Sequence, residues 1–285
     1  MILLSAAFRA GEIKMLRRLQ DTGGKRSMSK IEKAFENGKA FIGFVTAGDP
    51  DMNTSREVIL QMARGGCDLI EIGIPFSDPI AEGPVIQEAD LRSLSAGTTT
   101  DQVMDLAAGI SKEISTPLVF MTYLNVLFKY GYDKFLKKAK ASGISSVIVP
   151  DLPYEEKEEL TGVADLYDID VISLIAPTSE SRIQKIASSA KGFIYEVSSL
   201  GVTGIRNEIK TDLESITGVI RSATDIPVAV GFGINTPQQA ADVCRYADGV
   251  IVGSAIVELV AEYGKSAPQK VYEYVKSMKD AISGI

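Results

Sequence analysis

Residues 68–87 read DLIEIGIPFSDPIAEGPVIQ. The first half has the composition of a strand: Leu69, Ile70, Ile72 and Ile74 are aliphatic, and Pro75 ends the pattern. Side chains alternate across a strand, so Ile70, Ile72 and Ile74 share one face and Leu69, Glu71 and Gly73 share the other. One face is wholly apolar. The Glu71 carboxyl therefore belongs to the second face, which is itself buried or half-buried. A second acid, Glu82, follows in a loop rich in Pro, Gly and Ser. A rigid strand thus presents one carboxyl, and the loop it feeds presents another.

The same strand-then-helix unit recurs along the chain. Strand patterns lie at 41–48, 67–74, 116–124, 145–151, 170–176, 192–198, 226–233 and 248–254. Helical periodicity lies near 53–65, 101–114, 132–142, 154–166, 179–189, 208–223, 236–245 and 266–282. Strands alternating with helices build βαβ units and a parallel sheet. Eight such units predict a single closed (β/α)8 TIM barrel. A doubly wound open sheet is the alternative, but it would place a glycine-rich turn after the first strand, and here those turns come last. The longest intervals follow strands two and six, on the face where barrel active sites lie. Both are expected to hold lids, the second being SSLGVTGIRNEI (198–209) with Gly201 and Gly204 as hinges. Residues 1–27 mix an apolar start with scattered basic residues. They are expected to be an extension, disordered or arising from a mis-assigned start, that precedes a barrel domain over 28–285. Residues 28–37 read as a short amphipathic helix with Ile31 and Phe35 on one side.

Composition narrows the chemistry. The chain is 45% hydrophobic with a formal net charge of -7, which argues against nucleic acid or an anionic membrane surface as partner. No apolar run reaches transmembrane length. Cys67 and Cys244 read as reduced, half-buried thiols of a cytoplasmic protein. There is no histidine. Triads built on histidine, histidine bases and histidine-ligated zinc are therefore closed, and no metal is expected.

An ionised carboxyl inside a barrel is expensive unless paired, and no strand offers an interior Lys or Arg to pair with Glu71. A functional role is the better account of it. For Glu82 the residues leave a solvated loop acid and a working one both open. Asp49 and Asp78 read as turn or cap residues. GFG (231–233) after strand seven and GSA (253–255) after strand eight suggest a phosphate site, with backbone N–H groups approaching the anion and Ser254 adding a hydroxyl. Tyr123 and Tyr195 read as core aromatics or as substrate-orienting hydroxyls. If a carbon–carbon bond is broken, no strand carries an interior lysine for a Schiff base, so the substrate must supply its own electron sink.

FVTAGDP (44–50), IEIGIPFSDPIAEGPVIQ (70–87), MTYLN (121–125), VPDLPYEE (149–156), GVTG (201–204), GFGI (231–234) and IVGSAIV (251–257) resemble the tryptophan synthase alpha subunit family from about Met28 onward. The resemblance implies a barrel that cleaves indole-3-glycerol phosphate to indole and glyceraldehyde 3-phosphate. It implies no cofactor in this subunit and a partner, the pyridoxal-phosphate beta subunit, in an alpha2beta2 assembly. By the same resemblance Glu71 is the catalytic glutamate of strand two and Glu82 the loop acid. Thr203 and Gly204 belong to a closing loop; Gly204, Gly233, Gly253 and Ser254 contact the phosphate. Tyr195 lies near the glycerol, and Phe44 and Tyr123 near the indole. The loop acid is often aspartate in the family; Glu82 is one methylene longer, so its loop is expected to shift by about 1.5 Å. The rival readings are another phosphate-sugar barrel such as an isomerase or cyclase, a free-standing indole lyase, and a non-catalytic regulatory barrel.

Overall fold

Strands β1 (Ala40–Thr46) and β2 (Leu69–Gly73) are buried at every residue, so both of their faces are covered. That is the condition of a parallel sheet wrapped by helices. The computed structural model describes residues 29–197, 209–231 and 233–285. The expected extension at 1–27 lies outside the described residues, as does nearly all of the predicted lid at 198–209.

Among the described residues nine parallel strands form one sheet: β1, β2, β3 (Leu118–Met121), β4 (Ile144–Ile148), β5 (Asp170–Val171), β6 (Ser173–Ile175), β7 (Ile194–Val197), β8 (Val228–Gly231) and β9 (Gly249–Val252). Their order is β5-β4-β3-β2-β1-β9-β8-β7-β6. The two ends of this order are halves of one predicted strand. Residues 170–171 pair with β4 and 173–175 pair with β7. Ile172 is the pivot, its N–H still donating to the Val147 carbonyl at 2.9 Å before the chain turns away. The circle is thus completed by the chain itself, and the fold is the expected TIM barrel with one parted seam.

The alternation sorts two cores. Ile42, Leu69, Val119, Ile148, Ile172, Phe193, Tyr195, Ala229 and Ile251 form the interior cluster. Their strand neighbours, such as Phe41, Ile70, Ile72, Phe120 and Val250, pack outward against the helices. The predicted helix at 28–37 is shorter, α1 (Lys30–Lys33), with a capping box between Ser29 and Glu32. Ile31 joins the interior cluster, and the Phe35 ring lies 5.8 Å from that of Phe193. This segment plugs the N-terminal end of the barrel and leaves the other end for chemistry.

Most predicted helices are present, including α2 (Met52–Gly65). Three that the periodicity did not separate are also there. The interval after β2 is not all loop: α3 (Pro84–Ser95) precedes α4 (Thr100–Ile110). α5 (Leu124–Tyr130) precedes α6 (Tyr132–Ala141). After α7 (Glu158–Ala164), α8 (Glu180–Ala187), α9 (Ile209–Ala223) and α10 (Pro237–Val243) comes α11 (Ser254–Tyr263), then α12 (Ala267–Ile282). No helix among the described residues is long and apolar enough to cross a membrane.

Candidate active site

Glu71 sits in the middle of β2, beside Phe44 of β1 and Val119 of β3. It faces the barrel interior, as alternation with Ile70 and Ile72 requires, and is 1% exposed. Neither carboxyl oxygen has a hydrogen-bond partner among the described residues. Burial alone pushes this carboxyl up to about 8. At neutral pH it is therefore a neutral acid, ready to give a proton. The Phe44 ring covers the next inward position of β2, since a Cβ on Gly73 would meet that ring at 2.6 Å. A Cβ on Gly253 would meet the same ring at 3.3 Å. Glycine at both positions makes room for an aromatic wall above Glu71.

Glu82 lies on the loop between β2 and α3 and is buried to 9% exposure. It is not the solvated loop acid that its surroundings allowed. The Tyr123 hydroxyl donates to Glu82 Oε2 and accepts the Ala81 N–H at 2.9 Å. Gln87 Nε2 donates to the Glu82 carbonyl at 2.8 Å. Burial raises the Glu82 carboxyl above the ordinary range, the Tyr123 hydroxyl opposes that shift, and the nearby Asp151 charge adds to it. The longer side chain thus spans to Tyr123 from a loop whose backbone is itself fixed.

α3 is tied to the segment that follows β1. Arg92 forms a two-pronged pair with Asp49, both N–O distances being 2.8 Å. Ser93 Oγ donates to the Ala47 carbonyl at 2.6 Å. Asp49 is thus not the cap of the first long helix. Asp51 caps α2, its carboxyl accepting from Thr54 N–H at 2.9 Å, while Asp49 is 1% exposed and committed to Arg92. Asp78 lies in an exposed bend, as a turn residue should.

Tyr195 of β7 faces inward, 9% exposed, and burial with the charges of Glu71 and Glu82 holds its hydroxyl well above the ordinary range. It is the side chain that senses both acids. A Cβ on Gly231 would lie 2.5 Å from the Tyr195 hydroxyl, so only glycine on β8 admits the ring. The predicted phosphate turns also assemble. Gly231 and Ile251 are registered partners, so Gly233 and Gly253 leave the sheet side by side. Gly233 has φ +76, a left-handed conformation that glycine adopts without strain. Gly253 is the N-cap of α11 and Ser254 its first residue. The first N–H groups of a helix have no partner within it, which suits an anion there. Thr203 and Gly204 lie outside the described residues.

A cavity of about 1210 Å³ follows the parted seam, from Ile169, Val171 and Lys191 at one end to Glu82, Leu174 and Tyr195 at the other. Glu71 is not among its lining residues.

Two further buried acids escaped the sequence reading. Asp90 on α3 is 5% exposed, and burial together with the Glu82 charge pushes it up to about 7. It was hidden because residues 84–95 read as loop. Glu196 on β7 is fully buried, accepts the Thr217 hydroxyl at 2.7 Å, and is pushed up to about 7 by burial. An acid inside an apolar strand was the signal that singled out Glu71. Glu196 carries the same signal, but alternation from Tyr195 turns it outward, toward α9. Cys67 and Cys244 are free and buried.

The sequence profile of the tryptophan synthase alpha chain family matches residues 31–283. The tryptophan synthase alpha chain of Lacticaseibacillus casei is 49% identical over 255 residues, covering 90% of this chain and 96% of that one. That of Thermoanaerobacter sp. is 44% identical over 262 residues, covering 90% of this chain and 100% of that one. The crystal structure of tryptophan synthase subunit alpha from Legionella pneumophila superposes with a TM-score of 0.83 at 35% identity, covering 91% of this chain and 100% of that one.

Proposed function

The chain belongs to the tryptophan synthase alpha family and is a carbon–carbon lyase of L-tryptophan biosynthesis, and from that premise we propose how this barrel cleaves indole-3-glycerol phosphate. The single observation that carries the proposal is Glu71, a carboxyl sealed in the interior with no partner and held neutral by burial.

Glu71 gives its proton to indole C3. The ring becomes an iminium-type cation with charge at its nitrogen, and this cation is the electron sink that the lysine-free strands require. The bond from C3 to the glycerol carbon then breaks, and its electron pair returns to the ring. The neighbouring glycerol hydroxyl becomes an aldehyde and passes its proton to the Glu71 carboxylate. Indole and glyceraldehyde 3-phosphate leave, and Glu71 is neutral again. One carboxyl serves as acid and then as base, and no proton is left over.

Glu82 accepts the indole N–H and stabilises the charge that grows there. Phe44 and Tyr123 border the indole, and Tyr195 lies against the glycerol. Gly233, Gly253 and Ser254, with Gly204, hold the phosphate, and Thr203 joins the substrate-binding residues. Residues 28–285 constitute the catalytic domain, with 1–27 as an extension to it. The subunit itself uses no cofactor; pyridoxal phosphate belongs to the beta subunit that takes up the indole, in a cytoplasmic alpha2beta2 assembly. Ile80 and Phe128 support docking at this end of the barrel, being 80% and 71% exposed in segments that follow adjacent strands.

The experiment is indole release from indole-3-glycerol phosphate by the full chain, with and without a cognate beta subunit. Release that rises when beta is added supports the reading. No indole under either condition overturns it, and full release that beta leaves unchanged overturns the partnership. The acid role also fixes a pH dependence. Glu71 must be protonated in the free enzyme, so kcat/KM should fall as pH rises through about 8. A profile flat to pH 10, at roughly two units beyond that point, would contradict this.

A further inference from the structure

Glu82 is carried on a loop, and a loop acid works only if something aims it. The side chain that does so stands just past the end of the neighbouring strand. Tyr123 follows β3 and is the N-cap of α5, 3% exposed. Its backbone is fixed from the far side, because Asp151 Oδ1 accepts the Leu124 N–H at 2.8 Å in the first turn of α5. Three residues of the acidic loop converge on it. The Phe76 ring stacks on the Tyr123 ring with centroids 5.2 Å apart and planes at 28°. The Ala81 N–H donates to its hydroxyl at 2.9 Å. The hydroxyl's own proton goes to Glu82 Oε2. A phenol has one proton to give and can accept as well, so this hydroxyl is used in both directions.

We propose that Tyr123 is the positioning residue of the acidic loop, its ring fixing the start of the loop and its hydroxyl fixing the end, so that Glu82 presents a held oxygen to the protein and a free one to the substrate. The Tyr123 hydroxyl occupies Glu82 Oε2, so Oε1 is the atom assigned to the indole N–H. The inference rests on the role given to Glu82 above and adds what sets its geometry. It also explains how a glutamate serves where a shorter acid is frequent: its carboxyl is located by the Tyr123 hydroxyl and not by the loop alone.

Tyr123→Phe tests this in the full chain, because it keeps the ring stack and removes both hydrogen bonds. Loss of a charge-assisted bond of this kind should lower kcat for indole release about 10- to 100-fold. The groups facing Glu82 are Tyr123, Asp151, Asp90 on α3 and Tyr195 on β7. Of these, Tyr123 is the donor that favours the charged carboxylate. The limb of the pH profile that requires ionised Glu82 should therefore move to higher pH, a change that mere loosening of the fold does not produce. In Glu82→Gln, already impaired, Tyr123→Phe should add less than about threefold, since its target is gone. A full-sized Tyr123→Phe loss in the Glu82→Gln background, or an unmoved pH limb, overturns the inference and leaves the Glu82 role intact. If Glu82→Gln releases indole at the wild-type rate, the Glu82 role falls and the inference falls with it. Circular dichroism and thermal melting on Tyr123→Phe report folding, and should it not fold, Glu82→Asp supplies the same test. The shorter acid cannot span to Tyr123, so kcat for indole release should fall about tenfold, and an unchanged kcat overturns the inference.

Discussion

Glu71→Gln is expected to lower kcat for indole release by about 10²- to 10⁴-fold, toward the upper end because both proton transfers run through this one group. KM should stay within about threefold, since the phosphate turns and the Phe44 wall are untouched and the lost interaction belongs to the transition state. The same variant should gain stability, and the gain should depend on pH. The folded carboxyl sits near 8 against an ordinary 4.5. An acid raised in this way supports the fold below the unfolded value, and that support is lost as pH rises through the folded one. At pH 7 the unpaired carboxyl costs roughly 3 kcal/mol. Glu71→Gln should therefore melt higher than the parent at pH 8 and close to it at pH 5. Asp90 and Glu196 are raised in the same direction and remain in the variant, so both proteins should still weaken on the alkaline side. A functional group that destabilises its own fold is what an active site is expected to contain. Near-normal turnover in Glu71→Gln would remove the group from the mechanism.

Glu82→Gln carries the second large effect. The amide keeps nearly the same shape but removes the negative charge beside the nascent indole cation, and kcat should fall by about 10²-fold. Glu82→Asp separates charge from reach. It keeps the charge but draws the carboxyl back by about 1.5 Å, away from the Tyr123 hydroxyl. The expected loss is intermediate, about tenfold. Rates of indole release at saturating substrate decide both. If Glu82→Asp equals the parent, the carboxyl is not located by Tyr123.

The sequence carried the barrel because eight short apolar strands alternated with helical periodicity, uneven only where the longest intervals follow strands two and six. It carried Glu71 because a strand has only two faces. What it did not carry follows from the same physics. The helix at 84–95 begins after a Pro/Gly-rich loop with no side-chain cap, and its polar residues Asp90 and Ser93 turn inward toward the loop and the end of β1. Periodicity registers apolar faces, so this helix looked like loop. The fifth strand parts at Ile172 by changing partners, a tertiary event that no local pattern records. Asp49 read as a turn or cap residue; it does lie in the bend before the helix, but its carboxyl pairs with Arg92, 43 residues away. Glu196 shows the limit of the argument from burial. It is as buried as Glu71, yet it faces the helices and accepts the Thr217 hydroxyl. The face and the Thr217 partner it brings distinguish the two acids.

The central claim is that Glu71 holds a proton at neutral pH because the barrel seals it away without a partner. The carboxyl stretch of Glu71, isolated as the infrared difference between the parent and Glu71→Gln across a pH series, measures this directly. The account predicts a protonated band that persists through pH 7 and disappears near 8. A carboxylate already ionised at about pH 5, close to the ordinary glutamate value, would contradict it.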